Sequence, residues 1–182
     1  MPDIGINEEQ YLNRGWTISV LAIITSILWY PWALIRINLL GFDFPIYYYA
    51  AKEGINSERV TEVAQGWHYN NIIPYLFKPL TIFSLDVAFL IWYVILIFCW
   101  VIIIRFLVRR GLYGNILALV SFYPMLLNLE LGQITPVLGA LCLTPLGCVL
   151  AILIKPFCAI LLIPYFIGWY RDRRNRVIME KS

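Results

Sequence analysis

Two uncharged apolar runs decide what this chain can fold into: Trp16 to Ile35, 20 residues, and Val87 to Ile104, 18 residues. A helix needs about 20 apolar residues to cross the hydrocarbon core of a bilayer, and lipid offers no partner for a stray backbone N–H or C=O. Each run therefore reads as a membrane-spanning helix. Trp29, Tyr30 and Trp32 lie towards the far end of the first, where aromatic rings anchor a span at the interface. Ser84 has the place of an N-cap for the second, with Asp86 in its first turn.

A third run, Leu112 to Leu129, ends at Asn128, Glu130 and Gln133, polar groups that are costly in lipid and so face water or the bundle interior. The last apolar region, Ile134 to Tyr170, is too long for one ordinary span, is interrupted by Pro136, Pro145, Pro156 and Pro164, and holds Lys155 in its middle. One broken, tilted helix satisfies it, as does a shallow hairpin from Thr135 to Lys155 followed by a span from Pro156. Composition agrees with the runs: 61% of the chain is hydrophobic and 14% charged, against roughly half and a quarter in soluble domains. The expected fold is an all-α integral membrane protein of about four transmembrane helices, the last proline-broken or re-entrant. Without repeats or linkers it reads as a single bundle over 1–182, with a flexible tail at 170–182.

Between the first two spans, residues 41–80 turn mixed. A short helix after Pro45 is stopped by Gly54, and Asn56 and Ser57 cap a second one stopped by Gly66. Trp67, Tyr69 and Tyr75 lay this helical loop on the membrane surface. Basic residues collect on cytoplasmic flanks, and they cluster at Arg105, Arg109 and Arg110 and again at Arg171, Arg173, Arg174 and Arg176. Both termini are thus expected inside the cell (plasma or inner) membrane, the first span being an uncleaved anchor. The 41–80 loop and the Asn128–Gln133 turn are expected outside.

Several chemistries lack their residues. Cys99, Cys142, Cys148 and Cys158 all sit in apolar runs, so no structural disulfide is expected. His68 is the only histidine and has no CxxC or HExxH beside it, so no metal or other cofactor is expected. No P-loop or G-x-G-x-x-G is present, and a net charge of +3 spread over membrane flanks gives no reason to expect nucleic acid.

Asp43 is the candidate for chemistry. A carboxylate at a membrane surface beside Tyr47, Tyr48 and Tyr49 suits proton abstraction; two residues before Pro45, and so within a residue or so of the N-cap, it also suits helix capping, favoured by free N–H groups and the helix dipole. The tyrosines read either as sugar-stacking rings or as an interface belt, and His68 as a loop-surface residue or a catalytic group. Asn128 and Gln133 read as interhelical hydrogen-bonding residues or as substrate contacts.

Phe42-Asp43-Phe44 with Tyr47-Tyr48, then Tyr69, Pro74, Pro79 and the stretch from Ala88 to Trp92, resembles the start of the polyprenyl-phosphate-sugar-dependent glycosyltransferases of the GT-C fold, in particular glycosyltransferase family eighty-seven, which includes mannosyltransferases. Asn128-x-x-x-Gly132-Gln133 with Thr135, and Lys155-Pro156 with Pro164, look like that family's next two motifs in order. The resemblance implies a metal-independent enzyme that moves a sugar from a lipid-phosphate donor on the outer face, with Asp43 as general base. It also implies substrate contacts from Tyr47, Tyr48, His68, Asn128, Gln133 and Lys155. Lys155 would then be a cationic partner for the phosphate, unless it pairs with Glu130 or with backbone carbonyls.

Members of that family are commonly longer, so two functions stay open. The chain is a glycosyltransferase or half of one, or it is a catalytically incomplete accessory subunit of a larger membrane complex. Membrane lipids and another membrane chain are the expected partners, joined by a polyprenyl-phosphate sugar if the protein is active.

Overall fold

The computed structural model describes residues 8–39, 43–64, 70–110, 112–155 and 158, and among them it is helical with no strand. Contacts divide the chain into two units, Met1–Ala140 and Leu141–Ser182.

The first unit is built on an antiparallel pair. Helix α1 (Glu8–Leu39) runs 32 residues and α5 (Leu85–Val108) 24 residues. At about 1.5 Å per residue both exceed the ~30 Å of hydrocarbon they would cross. Helix α1 is longer than the apolar run because polar residues before Trp16 continue it, whereas Gly15–Arg36 alone is apolar enough to span. Small side chains on one face, Gly15, Ser19, Ala22, Ser26 and Ala33, are buried. Close approach follows: a Cβ at Gly15 would stand 3.6 Å from Val108, and Tyr93 Oη donates to the Ser26 carbonyl at 2.9 Å. Small residues at such a seam let backbones approach where lipid gives no hydrophobic drive. Ser26 sends its own hydroxyl back to the Ala22 carbonyl at 2.7 Å, which satisfies it inside the seam.

The third run is not one straight helix. It is α6 (Leu112–Val120) and α7 (Phe122–Leu131), bent by 41° about Ser121. Pro124 explains the break: it has no N–H for the Val120 carbonyl, and its ring crowds that carbonyl. Ser121 Oγ bonds the Ala118 carbonyl at 2.7 Å and receives Trp100 Nε1 at 3.4 Å, tying the bend to α5. Among the described residues, two helices are long and apolar enough to cross a membrane, or three if this bent pair counts as one span. Ser84 is the N-cap residue of α5, but its side chain makes no capping bond.

The loop between α1 and α5 is itself helical: α2 (Asp43–Glu53), α3 (Glu58–Ala64), α4 (Ile73–Phe77) and a 3₁₀ turn (Lys78–Ile82). Gly54, at φ 106°, ends α2, and Ser57 Oγ accepts the Val60 N–H at the head of α3. Most of α2 is buried, Phe44 to Tyr48 without interruption, so it fills the space above α5 instead of lying on the surface.

In the region after Gln133, α8 (Thr135–Leu141) and α9 (Pro145–Ile154) have 7 and 10 residues, each shorter than a span. Within the second unit, Thr144 caps α9 by accepting the Gly147 N–H at 3.1 Å, with Pro145 as first helical residue. Lys155 ends α9 in extended backbone, its N–H on the Ala151 carbonyl at 2.8 Å. The four cysteines are buried and free. Gly66, Trp67, His68, Tyr69 and the 170–182 tail lie outside the described residues.

Candidate functional site

Asn128-x-x-x-Gly132-Gln133 is a helix C-cap. Gly132 takes the left-handed conformation, φ 64°, its N–H reaching the Leu129 carbonyl at 3.2 Å while the Gln133 N–H reaches Asn128 at 2.9 Å. Those two bonds define a Schellman turn and account for the five-residue spacing from Asn128 to Gln133. Glycine suits the position twice over. Beyond its φ, a Cβ there would stand 2.5 Å from Phe44 Cβ and 3.3 Å from a Phe89 ring carbon. The Gly132 carbonyl accepts Trp92 Nε1 at 2.8 Å.

Phe44, Trp92 and Gly132 thus meet at one end of the first unit. Phe44 and Trp92 both pack on Phe77, at ring separations of 6.0 and 4.5 Å, and Phe44 lies 5.2 Å from Phe89. Each such ring is worth about 1.5–3 kcal/mol in burial, and each well-posed pair about 0.5–1.5 more. Asp43 and Gln133 are the chain neighbours of Phe44 and Gly132. With adjacent Cα atoms 3.8 Å apart, the Phe44–Gly132 contact holds the Cα atoms of Asp43 and Gln133 to at most about 13 Å.

Asp43 is half-buried in the first turn of α2, where the unpaired N–H groups and dipole favour its charge. Pro45 is the third residue of that helix and not its first, a place that needs no N–H either. Tyr47 and Tyr48 are 0% and 1% exposed, so neither forms an interface belt, and stacking on a sugar would need α2 to open. Tyr48 Oη donates to the Phe83 carbonyl at 2.7 Å, and the Tyr47 ring lies 5.0 Å from Phe77. Asn128, read as an interhelical hydrogen-bonding residue or a substrate contact, sends Nδ2 to the Pro124 carbonyl of its own helix at 2.7 Å, and its Oδ1 is buried without a hydrogen-bond partner among the described residues. Gln133 Oε1 accepts the Thr135 hydroxyl at 3.4 Å.

Sequence reasoning did not foresee the ion pair of this region. Arg36 Nε, at the end of α1, stands 3.3 Å from Glu130 Oε1 on α7, with the guanidinium also 5.3 Å from the Trp32 ring. Glu130 is 6% exposed. A carboxylate that deep must be paired, and two residues before Gly132 it fixes α7 to α1 where the cap forms. The available signal was one unlike charge at the end of each run. Lys155 belongs to the second unit, and His68 lies outside the described residues.

Comparison of the chain with protein-family models, with curated proteins and with solved structures found no match.

Proposed function

We propose that the chain is a GT-C-like membrane glycosyltransferase, or the part of one, with four crossings, both termini cytoplasmic and the Asp43 loop outside. The observation that carries this reading is the seating of Phe44 on Gly132, which puts the two outer motifs of the family resemblance into one patch. In the reaction, Asp43 removes the proton of an acceptor hydroxyl as its oxygen bonds to the anomeric carbon. The bond from that carbon to phosphate breaks, and its electron pair leaves with the polyprenyl phosphate. Gln133 and the buried Asn128 Oδ1 are hydrogen-bonding groups for the sugar.

The test is transfer from radiolabelled polyprenyl-phosphate sugars in membranes holding wild type and Asp43→Asn at equal abundance. Asn keeps an acceptor for the helix N-terminus but takes up no proton, so the variant is expected to lose about 10²–10⁴-fold of the rate. An equally active variant removes Asp43 from catalysis.

The burial of Tyr47 and Tyr48 favours a second reading, because rings locked in a core suit a subunit that has given up its sugar site. In that reading the chain is an accessory subunit held by another membrane protein. Absence of wild-type turnover with any donor, even alongside co-purifying chains, selects it.

A further inference from the structure

A groove of about 530 Å³ opens between the C-terminal end of α2 and the α4–3₁₀ segment, lined by Lys52, Glu53, Asn71, Pro74, Tyr75 and Lys78 among others. Its rim is cationic. Lys78 Nζ donates one hydrogen to the Ala51 carbonyl at 3.0 Å and keeps two for a ligand, while Lys52 is exposed with its ammonium 5.4 Å from the Tyr48 ring. The one carboxylate among its described lining residues, Glu53, is paired with Arg59 at 3.2 Å. The negative end of α2 opposes an anion by about half a charge, less than either lysine supplies.

The groove also lies close along the chain to a helix long and apolar enough to span. Lys78 is seven residues before Leu85, where α5 begins, and the intervening Ile82 is 80% exposed. On the same segment Tyr75 is 79% exposed and Leu76 49%, apolar side chains that suit contact with a membrane interface. Basic groups beside such a surface collect anionic lipid.

We propose that this groove binds the phosphate of an anionic phospholipid from the leaflet on which the segment lies. Lys52 is nine residues along α2 from Asp43, about 14 Å of helix, so the groove is offset from that carboxylate, and polyprenyl phosphate is the competitor that the test includes. The inference stands whether or not the protein transfers sugar.

Native mass spectrometry of the full chain in neutral detergent, titrated at fixed ionic strength with phosphatidylglycerol and phosphatidylcholine of the same acyl chains, tests it. Phosphatidylglycerol is expected to be retained preferentially. Lys52→Gln should weaken that retention roughly fivefold and Lys52→Gln/Lys78→Gln roughly 25-fold, phosphatidylcholine being unaffected. Lys78 also closes the end of α2, so Lys78→Arg serves as the variant that keeps this bond and the charge, and it should bind like wild type. Equal retention of the two lipids, or unchanged retention by the double variant, overturns the proposal. Displacement of phosphatidylglycerol by equimolar inorganic phosphate or by polyprenyl monophosphate overturns it too, identifying the occupant as free phosphate or as the donor.

Discussion

Replacing Gly132 by Ala perturbs the contact on which the site rests, and its cost has two separable parts. The backbone stands at φ 64°, where a Cβ costs about 1–2 kcal/mol. The new Cβ would also meet Phe44 Cβ at 2.5 Å, an atom that no rotamer change can move. Relief requires shifting the backbone of α2 against α7 by about 1 Å, an overpacking cost of about 1–3 kcal/mol. The expected total is about 2–5 kcal/mol. Gly54→Ala is a comparison with backbone strain and no steric clash: Gly54 has φ 106°, beyond the left-handed well that Ala can enter, and nothing within 4 Å of its would-be Cβ. Phe44→Ala keeps the offending Cβ and should not rescue Gly132→Ala, whereas Phe44→Gly should show favourable coupling with it in a double-mutant cycle. Unfolding by SDS, followed through the reactivity of the buried thiols, reads all of these. If Gly132→Ala costs no more than the ~1–2 kcal/mol of its backbone and shows no coupling with Phe44→Gly, Phe44 does not seat on Gly132 and the two motifs do not share a site.

Two further predictions concern the charges. Arg36→Met should destabilise the first unit by about 1–3 kcal/mol, below the ~3–5 of a fully buried pair because Arg36 is part-exposed, and adding Glu130→Leu should recover most of the loss; no recovery would mean that the pair is not what holds α1 to α7. Asn56→Cys, on an exposed loop residue, should react with a membrane-impermeant maleimide in intact cells, and protection until the membrane is opened would invert the proposed topology.

What could be read ahead from the chain was local. The apolar runs marked α1 and α5, Gly54 marked the end of α2, and Ser57 marked the head of α3, because each follows from a length or from one residue's backbone preference. The third run was read by length alone, and the 41° bend follows from Pro124 inside it. The candidate site was legible as two motifs but not as a geometry. That Asn128–Gln133 makes a Schellman turn, that Phe44 seats on its glycine and that Trp92 bonds its carbonyl are contacts between distant segments, which no local pattern encodes. Tyr47 and Tyr48, read as sugar-stacking rings or as an interface belt, are buried, and the chain carries no local sign of it because aromatic rings beside a span serve a membrane belt or a protein core equally well.

The joining of the two outer motifs in one site is tested most directly by proximity. Asp43→Cys with Gln133→Cys, in a chain whose four native cysteines are replaced by serine or alanine, should be bridged in membranes by a short bis-maleimide, because their Cα atoms lie at most about 13 Å apart. A Tyr30→Cys/Tyr93→Cys pair, whose native rings are 5.0 Å apart, reports that the bundle is intact. Bridging of both pairs is the predicted result; bridging of the Tyr30/Tyr93 control alone would contradict the site.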